Sequence, residues 1–298
     1  MRLRTTIATM VVSLLALSRA TAATQEHFPT PEAAAKALDA AIRDTKSTDR
    51  LAAVLGPDSD EIISSGDPVD DTAARKRYAT AAAEHTRIEP LDDATAIVRV
   101  GKNDWPLPVP LVRDADGWRF DSGAGKQELL NRRIGRNEIT AIEVCRAYVV
   151  AQKEYANRFH TYAQTVRSSP GKKDGLYWEE TDHDVSPFGP LVASATAEGY
   201  QLHGATDPAA PYHGYYFRIL TAQGAHAPGG ARSYVTDGKM TGGFALLAWP
   251  ADHGSSGIMT FLVDPQGVVF QKDLGAGTAE AAKAITMYDP DQSWEPTR

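Results

Sequence analysis

Five histidines spread across loops of the second half, His183, His203, His213, His226 and His253, are among the residues best suited to ligate a metal or move a proton. No two of them stand three or four apart, the spacing that sets two imidazoles on one helix face, so no metal-binding pattern results. His183, with Asp182 and Asp184 on either side, is the densest cluster and reads as a solvated loop. No serine occupies a Gly-x-Ser-x-Gly turn. Gly123-Ala124-Gly125-Lys126 lacks the spacing and the Ser or Thr of a nucleotide-binding loop. Cys145 is the sole cysteine; it falls on the apolar side of a helical pattern and reads as a buried thiol, with no disulfide framework. The catalytic residues are therefore unknown, and the expectation is no cofactor and no metal. One acid–base pair, Asp174 with His213, stands for the alternative of a hydrolase with an unrecognised site. The loop Pro170-Gly171-Lys172-Lys173-Asp174-Gly175 runs straight into Leu176-Tyr177-Trp178, and Tyr212 to Arg218 adds more aromatics. Such residues could stack on a glycan, but the preferred reading puts Tyr177, Trp178 and Tyr215 in a core between helix and sheet.

Arg2 and Arg4, an apolar run from Ile7 to Leu17, and Ala20-Thr21-Ala22 have the order of a secretory signal peptide, residues 1–22. The apolar run is about half the length that spans a bilayer, and the later apolar stretches, 242–250 and 257–269, contain Gly or Pro. The expected location is periplasmic or secreted, with no membrane insertion after cleavage. Loss of Arg2, Arg4 and Arg19 takes the formal charge from −7 to −10. That balance excludes nucleic acid as a partner, and leaves an envelope protein or a glycan.

The elements that must position these residues fall into two sets. Thr30-Pro31-Glu32 is a cap, a first-turn proline and a first-turn acid. Ala34, Leu38, Ala41 and Ile42 then share a face. Further helices are expected over 47–55 and 71–84, followed by strands over 94–100, 105–112 and 117–120. Pro106, Pro108 and Pro110 strip donors from one side of the second strand, which predicts an edge. Ser122-Gly123-Ala124-Gly125 marks a boundary and 126–136 a basic connector. The best helix follows, 137–159, with a stripe of Ile142, Cys145, Val149, Gln152, Ala156 and Phe159 widened by Ile139 and Tyr148. Strands are expected over 212–222, 243–249, 258–263 and 268–272, the last two joined by the Asp264-Pro265-Gln266-Gly267 turn, and a last helix over 278–288.

These elements make an α+β protein of two domains, 28–125 and 137–298, with helices packed on antiparallel sheets and a long helix against the sheet of the C-terminal half. Helices followed by a meander with a Gly117-Trp118-Arg119-Phe120 strand resemble the cone-shaped fold of the nuclear-transport-factor-2 superfamily over about 28–122. The second half is similar to the globular part of pilins and pseudopilins, its closest stretch being 244–270, although their membrane-spanning first helix is absent. The whole mature chain resembles the bacterial family called domain of unknown function 2950. The matching stretches are Ser65-Gly66-Asp67-Pro68, Asn131-Arg132-Arg133-Ile134-Gly135-Arg136-Asn137-Glu138, Pro170 to Trp178, and Tyr212-His213-Gly214-Tyr215-Tyr216-Phe217-Arg218. The resemblance implies a secreted bacterial protein and supplies no activity. The function is unknown; the reading the sequence favours is a non-catalytic binding or interaction protein of the bacterial envelope.

Overall fold

A computed structural model describes residues 25–179, 184–200 and 210–297. The proposed signal peptide, His183 and His203 lie outside the described residues.

Thr30 Oγ1 accepts from Ala33 N at 3.2 Å and caps α1 (Pro31–Arg43), whose Ala34, Ala35, Leu38 and Ala41 are buried. Two short helices follow, α2 (Asp49–Leu55) and α3 (Asp60–Ile63). The next, α4 (Pro68–Glu84), starts three residues before its expected first turn, because Asp67 Oδ1 accepts from the amides of Val69 and Asp70, each at 3.1 Å. Antiparallel strands β1 (Thr86–Pro90), β2 (Thr95–Val100), β3 (Trp105–Pro106), β4 (Leu111–Asp114) and β5 (Gly117–Phe120) form one sheet, ordered β1-β2-β4-β5 with β3 also on β2. The single strand expected over 105–112 is thus two. Leu107 N still donates to Val98 O of β2 at 2.8 Å, but three alternate prolines leave too few donors for a continuous ladder, and 108–110 drops out of it. The open side of this segment is covered by a helix. At Gly125 a Cβ would lie 2.5 Å from Val109 Cα and 2.8 Å from the Pro108 carbonyl oxygen, so only glycine permits the approach.

That helix, α5 (Ser122–Phe159), is capped by Asp121 and runs 38 residues without a break. The expected connector, 126–136, and the expected helix, 137–159, are one element. Its first turns pack on the first core through Leu129, and its remainder forms the spine of the second. The buried arc there holds Ala141, Val144, Cys145, Tyr148, Val149, Ala151, Gln152 and Tyr155. The stripe expected from sequence is turned slightly: Ile139 is 60% and Phe159 38% exposed. At the level of Ile139 the helix is oriented by its neighbours. Asn137 Nδ2 donates to Ser256 O at 2.8 Å, and Glu138 Oε1 accepts from the amides of Ile258 and Met259. Gln152, the polar interruption, is fully satisfied: its amide donates to Ala163 O and Tyr148 Oη, and its oxygen accepts from Ala163 N.

In the second half α6 (Gly189–Glu198) precedes β6 (Tyr215–Leu220). Two small ribbons follow, β7 (Ala222–Gln223) with β8 (Arg232–Ser233), and β9 (Val235–Thr236) with β10 (Lys239–Met240). Then come β11 (Ala245–Pro250), β12 (Met259–Val263), β13 (Val269–Asp273), α7 (Thr278–Ala284) and β14 (Glu295–Pro296). The main sheet is antiparallel throughout, in the order β14-β13-β12-β11-β6. Gly267 N closes the predicted turn on Asp264 O at 3.0 Å. The α+β class is as expected. Two hydrophobic clusters stand apart, one drawn from residues 28–120 and the other from 141–294.

Candidate functional site

The two clusters are separated by polar groups that come from both halves. Asp67, 1% exposed, caps α4 with one carboxylate oxygen. Its other oxygen accepts from Tyr200 Oη and Gly214 N, both at 2.9 Å. Arg133, also buried, donates to the carbonyls of Glu61 (2.6 Å) and Ile62 (3.1 Å). Burial pushes its pKa down, against the pull of Asp71 and Asp70. Burial likewise raises the Asp71 carboxyl, although Ser65 N donates to both its oxygens.

Beside this junction lies a cavity of about 690 Å³, within the usual range for small-molecule sites. Leu38 and Ile42 of α1 and Leu51 and Leu55 of α2 line it on one side; Val100 of β2, with Leu107 and Val109 between β3 and β4, line it on another. Overhead runs α4, contributing Ala74, Tyr78 and Ala81. This helix has 17 residues; Tyr78, Ala81 and Ala82 touch the first core, yet none of its apolar side chains is buried and Asp70 alone falls to 8% exposure. A helix packed closely on a sheet buries a stripe; this one leaves its apolar side chains half-buried along the cavity. Burial raises the Tyr78 phenol well above its ordinary pKa, with Asp39 adding to the effect.

The rim is cationic. Five arginines line the cavity, Arg75, Arg77, Arg132, Arg133 and Arg136, against two aspartates, Asp70 and Asp71. Arg75 donates to Ile63 O, Arg77 to Asp70, and Arg132 to Glu128. The Arg132 guanidinium also sits 5.8 Å from the ring centre of Trp105, which is 40% exposed. Among the described residues, the Arg136 side chain makes no hydrogen bond or ion pair. In the sequence Arg132, Arg133 and Arg136 stand only as part of a basic connector, with no sign of a cavity.

Asp174 and His213, paired as the hydrolase alternative, keep separate company. Asp174 accepts from Ser169 N and Oγ, which lower its pKa. His213 lies at the cavity rim with Nε2 2.7 Å from Glu198 Oε2 and its ring against Tyr200 and Tyr212. His226 pairs with Asp289 and His253 with Asp273, so the three described histidines of the sequence reading share no ligand set. Among the described residues one group has metal-ligand spacing: donor atoms of His27, Asp114 and Asp116 lie within 4.8 Å of one another at the surface. Arg119 Nε already donates to Asp114 there, which opposes a second cation. Trp178 and Tyr215 of the aromatic platform are core, at 7% and 0% exposed, and Tyr177 is half-buried against them. The Trp178 indole donates to Asp184 at 3.1 Å. Cys145 is fully buried, and burial pushes its thiol up to about 12, which leaves it inert.

Three of the four stretches that carry the family resemblance, 65–68, 131–138 and 212–218, meet at the junction beside the cavity. A model of the family described as "Protein of unknown function (DUF2950)" matches residues 25–297. The chain belongs to the DUF2950 family. No curated protein and no solved structure matches it. Its DUF2950 membership therefore brings no activity, and the cavity must be interpreted from its own chemistry.

Proposed function

We propose that this DUF2950 protein is a non-catalytic binding module of the bacterial envelope that takes an apolar small molecule into the cavity under α4. The observation that carries this reading is the cavity under α4, walled by Leu38, Ile42, Leu51, Leu55, Leu107 and Val109, over which the apolar side chains of the helix stay only half-buried. Water is a poor tenant for such a space, since each molecule needs two to four polar partners. The polar groups at the rim support binding over catalysis. Arg133 and Asp71 are committed to backbone partners, and Thr140, the only aliphatic hydroxyl lining the cavity, donates to Arg136 O. In the protein isolated from cells, the neutral fluorophore N-phenyl-1-naphthylamine should bind saturably. Ala74→Trp, which fills the cavity, should weaken it at least about tenfold. A parent that binds no fluorophore, or a folded Ala74→Trp protein that binds it equally well, would refute the reading.

The hydrolase alternative retains one supporting observation, the His213–Glu198 contact at the rim, which has the form of a base and the group that orients it. Any hydrolytic activity abolished by His213→Ala would favour it, whereas binding of the fluorophore should survive that change.

An envelope location belongs to the same proposal and rests on the order of charges, apolar run and small residues in 1–22. Among the described residues no helix is long and apolar enough to cross a membrane. The isolated protein should begin at Ala23 or Thr24 and stay in the soluble fraction; an intact Met1, or recovery only with membranes, would contradict this. The likeness to the nuclear-transport-factor-2 superfamily is kept within the proposal on the order of helices and meander in the first half. The pilin likeness is kept on the helix laid against an antiparallel sheet in the second.

A further inference from the structure

We infer that the ligand is a free single-chain amphiphile, with its apolar tail in the cavity and one anionic head at the rim against Arg136. This rests on the cavity being a binding site and adds the chemistry of what it binds. The whole sequence carries a formal charge of −7, yet the cavity is lined by five arginines and two aspartates. Cations are thus concentrated against the prevailing charge of the protein, which draws an anion to this opening. Four of the five arginines are already engaged with carbonyls or carboxylates. The fifth, Arg136, is one turn along α5 from Arg132 and has Arg133 as a like-charged neighbour. An unpaired guanidinium beside another is relieved by an anion, and its planar fork suits a carboxylate or phosphate head.

Beyond the rim the chemistry changes. Ile42, Leu51, Leu107 and Val109 offer a bound molecule no polar partner, so a polar group carried inward would be left unsatisfied. Only an apolar tail fits that end. Trp105 stands at the rim with Arg132 near its face, an aromatic with one apolar side and one wet side, suited to the boundary between head and tail. A nucleotide or a polar sugar would satisfy the arginines and fail in the interior; a neutral hydrocarbon would do the reverse.

The test is displacement of N-phenyl-1-naphthylamine from the isolated protein by octanoate, decanoate, dodecanoate and 1-dodecanol. Affinity should rise by about fourfold per methylene along the acids, the equivalent of burying each CH₂. Dodecanoate should bind at least about tenfold tighter than dodecanol, the effect of one charge-assisted contact. Arg136→Gln, folded by circular dichroism, should collapse that ratio towards one, and Arg136→Lys should restore part of it. Equal affinity of the parent for dodecanoate and dodecanol would overturn the anionic head while leaving an apolar site standing. A fluorophore that binds but is displaced by none of the four would overturn the amphiphile. Co-sedimentation with phosphatidylglycerol vesicles, without displacement by free dodecanoate, would overturn it in favour of a membrane surface. Failure of the fluorophore to bind at all would remove the cavity reading itself.

Discussion

Replacing Asp67 with Ala should destabilise the protein by about 3 kcal/mol or more, measured by urea denaturation. Two losses add. One carboxylate oxygen caps α4 by accepting from Val69 N and Asp70 N, and loss of an N-cap costs about 0.5–2 kcal/mol. The other oxygen is the acceptor for Tyr200 Oη and Gly214 N in a buried site, and each donor left without a partner costs about 1–3 kcal/mol. Asp67→Asn separates the two. Its amide oxygen can still cap the helix, while its NH₂ meets the Gly214 N–H donor, so the loss should fall to about 1–3 kcal/mol. An Asp67→Ala protein within about 1 kcal/mol of the parent would show that these bonds do not hold the halves together.

The second large effect is expected at Gly214, on the other end of the same bond. Its φ is +72°, a conformation that costs a residue with a Cβ about 1 kcal/mol. A Cβ there would lie 2.7 Å from Asn137 Nδ2 and 2.8 Å from Ser256 Cβ. Asn137 cannot move aside without giving up its bond to Ser256 O. Overpacking of this kind costs about 1–3 kcal/mol, so Gly214→Ala should lose about 2–4 kcal/mol by thermal unfolding. Because both substitutions act on the Gly214–Asp67 bond, the double variant should lose less than the sum of the two. Full additivity would mean that the two residues are not coupled.

Where local chemistry decides structure, the sequence was legible. Thr30-Pro31 marks the start of α1, the Asp264-Pro265-Gln266-Gly267 turn closes β12 on β13, and the apolar spacing after Asn137 identifies the spine helix with its buried thiol. Misread elements each had a competing signal. Gly123 and Gly125 suggest a boundary, but Gly125 is there for the approach of α5 to Val109, and the helix runs through both. β1 was missed because Ile88 is its only large apolar residue and the strand is an exposed edge. The cavity left no trace, since its walls come from α1 to α5, β2 and the 105–109 segment. Its roof helix lacks the apolar stripe that would have drawn attention to it. Arg136 looked like any surface cation until the bonds of its four neighbours were known.

The most direct test of the binding reading is where a neutral apolar ligand goes. Methyl groups of isotopically labelled Ile, Leu and Val should be followed by NMR as 1-decanol is added to the isolated protein. Saturable shift changes should concentrate at Leu38, Ile42, Leu51, Leu107 and Val109, which line the cavity, and leave Leu246, Leu247 and Val263 of the second core unmoved. Changes centred on the second core, or none that saturate, would contradict the assignment of the cavity under α4 as the site.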